Sequence, residues 1–93
     1  MEKELQGRWA LITGAAKRVG AVIARTLHDA GANVAIHYFS SSAPADALAQ
    51  ELNEQRADSA ISLQADLRSI DAINSLVEKM VEQTGRLDLL VNN

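Results

Sequence analysis

W-A-L-I-T-G-A-A-K-R-V-G, residues Trp9 to Gly20, changes its periodicity halfway along. The apolar run Trp9 to Ile12 reads as a buried strand, and Thr13-Gly14-Ala15-Ala16 as a tight turn. From Val19 the apolar residues fall at helical spacing. A strand that passes through a glycine turn into a helix is how a dinucleotide-binding unit begins. Gly14 has no Cβ, so its backbone can lie against a pyrophosphate and take a positive φ. The unpaired N–H groups and the dipole of the following helix favour negative charge at the same place.

Outward from this stretch, strand and helix patterns alternate. Residues 1–7 read as a polar lead-in. The first strand is Arg8 to Thr13. The first helix runs from Arg18 to Ala30, with Val19, Ile23, Leu27 and Ala30 as its apolar face and Gly31 at the position after its cap. Gly20 and Ala24 make a small-residue stripe beside that face, which lets the helix lie close to a sheet. His28 reads as a surface residue.

The second strand is Asn33 to Tyr38, followed by a Ser40-Ser41-Ser42 loop. Pro44 fits the first turn of a second helix, which runs to Arg56 with Leu48, Ala49 and Leu52 as its stripe. The third strand is Ala60 to Gln64. The third helix starts at an N-cap near Ser69 and ends at Gly85, with Ile70, Ile73, Val77, Met80, Val81 and Thr84 expected on its buried face. The fourth strand is Leu87 to Asn92. The order β-α-β-α-β-α-β predicts an α/β fold: a parallel sheet with right-handed crossovers and strand order 3-2-1-4. Two helices would cover one sheet face and one the other, the incomplete first half of a doubly wound fold.

Composition narrows the function classes. The chain has 93 residues, enough for one small domain; 47% are hydrophobic and 23% charged, which is ordinary for a globular protein. Aromatics are only 3%, so the core must rest on Ala, Leu, Ile and Val. A net charge of −3 with dispersed cations argues against nucleic acid as a partner. There is no Cys, hence no disulfide framework and no thiolate metal site. No apolar run approaches the roughly 18 residues of a membrane span, and the charged N-terminus does not read as a signal peptide. A cytoplasmic setting, a small-molecule substrate and no membrane partner are the expectation.

Thr13–Gly20, T-G-A-A-K-R-V-G, resembles the T-G-x-x-x-G-x-G fingerprint of the short-chain dehydrogenases/reductases. L-Q-G-R-W-A-L-I-T-G looks like that family's lead-in. Asp66-Leu67 resembles its acid after the third strand, and L-V-N-N (Leu90–Asn93) the start of its N-N-A-G motif. The matches occur in order and cover essentially the whole chain. Arg18 departs from the pattern by taking the middle glycine's place; A-A-K-R-x-G together with His37-Tyr38 is similar to the pteridine reductase branch. The resemblance implies a Rossmann-type fold and an NADP(H)-dependent oxidoreductase that transfers hydride to a carbonyl or pterin-type substrate. It also implies a homo-oligomer for the complete protein.

Several site residues keep two readings. Arg18 either pairs bidentately with phosphate or is a solvated residue at a helix start, where a cation without an anion is disfavoured. The second strand ends in I-H-Y-F-S-S with no carboxylate until Asp46, which permits a 2′-phosphate where NAD enzymes place an acid for the ribose diol. His37, Ser40, Ser41 and Lys17 can supply donors and charge there; alternatively His37 is a plain strand-end residue. Ser40 stands where the pteridine reductases usually carry Arg. Asp66 is an adenine contact or a turn residue. Asn92 and Asn93 fix backbone or wall the nicotinamide-ribose site. The expected cofactor set is Gly14, Lys17, Arg18, Val19, Gly20, His37, Tyr38, Ser40, Ser41, Asp66, Leu67 and Asn93, with no metal ligands.

The family's catalytic Ser and Tyr-x-x-x-Lys have no counterpart here: the only Tyr is Tyr38, and Ser42 stands four positions on. Residues 1–93 therefore read as the cofactor-binding half of a larger fold, inactive alone and marginally stable, since so short a chain buries only roughly 60–65% of its unfolded surface. The alternatives are a non-catalytic nucleotide-binding module, a 3-oxoacyl-reductase-like member of the same family, and a methyltransferase. The last expects an acid after the second strand. A P-loop is excluded because no G-K-[ST] occurs in the turn.

Overall fold

A computed structural model describes residues 4–93; the first three residues of the lead-in lie outside the described residues. The elements are β1 (Trp9–Ile12), α1 (Arg18–Asp29), β2 (Asn33–Tyr38), α2 (Ser42–Gln55), β3 (Ala60–Gln64), α3 (Ile70–Thr84) and β4 (Leu89–Val91). The four strands form one parallel sheet in the order β3-β2-β1-β4. The register pairs Ala10 with Val34 and with Leu89, and Val34 with Ala60. The α/β class and strand order expected from the sequence are those observed.

Strand alternation sorts the core into two layers. Ala10, Ile12, Val34 and Ile36 point to the face that carries α1 and α2, where they meet Ala21, Ala24, Leu48 and Leu52. Leu11, Ala35, Leu63 and Ala65 point to the other face and meet Leu76 and Met80 of α3. Burial of side chains the size of Leu11, Ile36, Leu52 or Met80 contributes roughly 1.5–3 kcal/mol each.

Helix ends follow the sequence signals. Pro44 sits in the first turn of α2. Ser69 caps α3, its hydroxyl oxygen accepting from the Ala72 N–H at 3.1 Å. Gly85 ends α3 with φ +82°, a left-handed conformation that costs glycine little. Between α2 and β3, the Asn53 carboxamide oxygen accepts from the N–H groups of Ser59 and Ala60. The Arg56 guanidinium donates to the carbonyls of His28, Gly31 and Ala32 at the C-terminal end of α1, where a cation is favoured.

Four expectations need correction. On α1 the buried residues are Gly20, Ala21, Ala24 and His28, while Val19 is 65% exposed. The small-residue stripe lies closest to the sheet, because only small side chains let the helix axis come this near, and Ile23 and Leu27 pack half-buried at its side. His28 is buried, four residues after Ala24 on that same stripe, and its Nε2 lies 2.7 Å from the Ser59 hydroxyl. On α3 only Leu76 and Met80 are fully buried; Ile70, Ile73 and Val81 are exposed. The helix lays one narrow line on the sheet, and its apolar stripe is wider than that line. Strand limits also shorten: β1 and β4 stop one or two residues inside the expected spans.

Candidate nucleotide-binding site

The Thr13–Lys17 turn continues β1 and is tied to the carboxyl ends of its neighbours β2 and β4. Thr13 continues the ladder, its N–H donating to the Val91 carbonyl at 3.0 Å. Its hydroxyl accepts the Asn93 N–H at 2.9 Å and lies 3.4 Å from both the Val91 carbonyl and Asn92 Oδ1. Asn93 Nδ2 then donates to the Gly14 carbonyl at 3.2 Å. Asn93 thus fixes the backbone of the turn while Asn92 meets the Thr13 hydroxyl; of their two readings, the structural one is the one the geometry displays.

Gly14 adopts φ +60°, and a Cβ there would lie 3.3 Å from Asn93 Nδ2. Gly20 is tighter still: a Cβ would fall 2.3 Å from the Gly14 carbonyl oxygen and 2.8 Å from Ala15 Cα. The first turn of α1 is therefore seated directly on the glycine turn. Lys17 is the N-cap residue but offers no side-chain hydrogen bond, and no acid lies in the first turn. The leading N–H groups of α1 have no side-chain cap, and Lys17, Arg18 and Val19 around them are exposed. Arg18 has φ +56°, in the left-handed region, which for a residue with a side chain costs about 1–2 kcal/mol. Uncapped donors, two cations and a backbone that tolerates no Cβ make a cradle suited to an anion.

His37 is turned inward. Its ring is buried, Nδ1 accepting from the Gly14 N–H at 3.0 Å and Nε2 lying 2.8 Å from the Ala65 carbonyl. With both nitrogens engaged, the ring is not placed to donate to a phosphate, the first of the two readings given for it. Tyr38 is half-buried against the α1–α2 core layer; Ser40 is exposed and Ser41 half-buried at the N-cap of α2.

Asp66 lies just past β3, gripped by Arg68: Nε reaches both carboxylate oxygens and Nη2 reaches Oδ2. The guanidinium, joined by the Arg68 backbone N–H, holds the Asp66 carboxyl below the usual carboxylate range. Arg68 also lies 5.9 Å over the Phe39 ring, so the Asp66–Arg68 pair sits beside the loop after β2. Sequence reasoning missed Arg68, although D-L-R places acid and base two residues apart. Asp66 and Arg68 border an open groove of about 480 Å³ between the end of β3 and α3, with Ser69 and Lys79 also on its wall. Leu67 lines a smaller apolar cavity of about 110 Å³ with Leu11, Ile73 and Leu90. Among the described residues no cluster of three metal-ligating side chains occurs.

A parallel sheet in the order 3-2-1-4, with an uncapped helix start over a glycine turn at its carboxyl edge, defines an open α/β protein of the dinucleotide-binding class. The chain belongs to the short-chain dehydrogenase family, whose model matches residues 8–93. It is 44% identical to an uncharacterized oxidoreductase of Methylorubrum extorquens, over 97% of this chain and 36% of that protein. Pteridine reductase 1 of Leishmania tarentolae is 41% identical over 90% of this chain and 35% of the relative. A 3-oxoacyl-[acyl-carrier-protein] reductase of Staphylococcus aureus is 38% identical over 90% and 34%. The chain spans about a third of the length of these relatives.

Proposed function

We propose that this chain forms the cofactor-binding half of an NADP(H)-dependent oxidoreductase acting on a carbonyl or pterin-type substrate. One observation carries the reading. The uncapped start of α1, flanked by exposed Lys17 and Arg18, follows a turn bonded to His37 of β2, and the loop after β2 holds no carboxylate before Asp46. Gly14, Val19 and Gly20 let the backbone approach the pyrophosphate, and Lys17 and Arg18 neutralise it. Tyr38, Ser40 and Ser41 border the adenosine ribose. Arg68 lies over Phe39 beside the loop after β2, its guanidinium paired with Asp66. Asp66 and Leu67 meet the adenine, and Asn93 stands beside the nicotinamide ribose.

When bound, the nicotinamide supplies the hydride. These 93 residues bind and orient it, and they contain no Tyr-x-x-x-Lys to protonate the product. They hold cofactor without turnover. The substrate class rests on the relatives' names, which include a pteridine reductase and a 3-oxoacyl reductase.

Calorimetric titration with NADP⁺ and NAD⁺ tests the reading. NADP⁺ is expected to bind at least about ten-fold tighter, because one charge-assisted phosphate contact is worth about 1.5–3 kcal/mol. Its affinity should also fall more steeply with salt. Equal or tighter NAD⁺ binding would sink the NADP(H) assignment, and no binding of either would sink the cofactor assignment.

A further inference from the structure

We propose that His37 is a positioning residue, which suspends the Gly14 turn from the end of β3 and so sets the spacing between the phosphate seat and the adenine-side loop. The inference rests on the proposed cofactor reading for what that turn holds. His37 itself touches no cofactor atom.

The partners assign the ring's protonation. The Gly14 N–H can only donate, so Nδ1 presents its lone pair at 3.0 Å. The Ala65 carbonyl can only accept, so Nε2 carries the proton at 2.8 Å. His37 is therefore a neutral imidazole acting as a two-ended strap, 5% exposed. Its backbone adds a second hold: the His37 carbonyl accepts from the Ala15 N–H at 3.0 Å. One residue thus grips two successive residues of the turn.

The far end of the strap is also fixed. The Ala65 N–H donates to the Tyr38 carbonyl at 3.0 Å, and Asp66 follows at once. On the near side, Asn93 Nδ2 holds the Gly14 carbonyl. The Gly14 residue is thereby held through both its N–H and its C=O in a left-handed conformation that an unsupported glycine would leave readily. Fixing it before binding spares the cofactor the ordering cost, the general route by which preorganisation raises affinity.

The test uses two substitutions of opposite geometry. The short amide of His37→Asn places its oxygen near the position of Nδ1 and can still accept from Gly14. The longer His37→Gln places its amide near Nε2, keeping the Ala65 partner and losing the Gly14 acceptor. Each variant cuts the strap at one end, H37N at Ala65 and H37Q at Gly14, so a positioning role predicts NADP⁺ affinity at least about ten-fold weaker for both, where ten-fold is one lost hydrogen bond's worth. Melting of each variant verifies that it is folded at the titration temperature. A role in filling buried space predicts affinity near wild type for H37Q, because Gln is nearer to His in volume.

The wild-type protein supplies an independent readout. Nitrogen-15 NMR should show Nε2 protonated, Nδ1 bare, and scalar coupling across the Gly14 N–H···Nδ1 bond that persists when NADP⁺ is added. Affinity retained in either variant, a protonated Nδ1, or loss of the coupling on binding would each overturn the proposal. A wild-type protein that shows the coupling and binds neither nucleotide would instead overturn the cofactor reading, and this role with it.

Discussion

Gly20→Ala pits two physical effects of opposite sign against each other. In an ordinary helix interior, Ala is favoured over Gly by about 1 kcal/mol. Gly20 is not in an ordinary setting. A Cβ would lie 2.3 Å from the Gly14 carbonyl oxygen, 2.8 Å from Ala15 Cα and 2.8 Å from Asn93 Nδ2. To open the first contact even to 3.0 Å, α1 and the turn must part by 0.7 Å (3.0 − 2.3). Two of the three obstructing atoms are backbone, held by the His37 and Asn93 hydrogen bonds, so they cannot swing aside as a side chain would. Overpacking of this kind costs about 1–3 kcal/mol, and the rigid backbone puts this case at the upper end, about 3 kcal/mol. Subtracting the helix-propensity gain leaves a net loss of about 2 kcal/mol. Urea unfolding followed by the emission of Trp9, the single tryptophan, reads this directly. With a slope of about 1–2 kcal/mol/M, the midpoint should fall by about 1–2 M at unchanged slope. A midpoint that stays put or rises would refute the close seating of α1 on the glycine turn.

The remaining predictions concern strain, capping and pH. Arg18→Gly relieves the left-handed φ but adds unfolded-state entropy, so stability should change by less than about 1 kcal/mol while NADP⁺ affinity falls about ten-fold; unaltered affinity by calorimetry would remove Arg18 from the phosphate seat. Ser69→Ala deletes the acceptor of the Ala72 N–H and should cost about 1 kcal/mol in urea unfolding, whereas no loss would show that the cap contributes nothing. Asp88 is held below its usual value of 3.8 by the Arg86 guanidinium and the Trp9 N–H. Its stabilising contribution is therefore fully present above about pH 5 and is lost as the pH falls through the lowered folded value. Asp88→Asn should flatten this part of the acid limb in thermal melts between about pH 5 and pH 2, and an unchanged limb would refute the linkage.

Local signals placed most of the elements. The alternation of strand and helix patterns, Pro44 in a first turn, Ser69 as a cap and Gly85 as a stop each depend on chain geometry within a few residues. The resemblance that pointed to the family was equally local, carried by T-G-A-A-K-R-V-G and L-V-N-N. Among the site residues, Gly14, Lys17, Arg18 and Gly20 were legible because their spacing alone puts them on one turn.

Which side chains meet across the sheet edge was not legible from such windows. His37 and Gly14 are 23 residues apart, His37 and Ala65 are 28 apart, and Asn93 and Gly14 are 79 apart. The sequence by itself determined that β1 leads through a glycine turn into a helix whose start favours an anion, since that follows from residue size and backbone donors. Only the tertiary structure decided that His37 turns inward to Gly14 and Ala65, that His28 is buried on the small-residue stripe of α1, and that Ile70, Ile73 and Val81 stay exposed on α3. Those outcomes depend on how closely each helix approaches the sheet and which strand ends lie side by side, distances that periodicity along one segment does not contain.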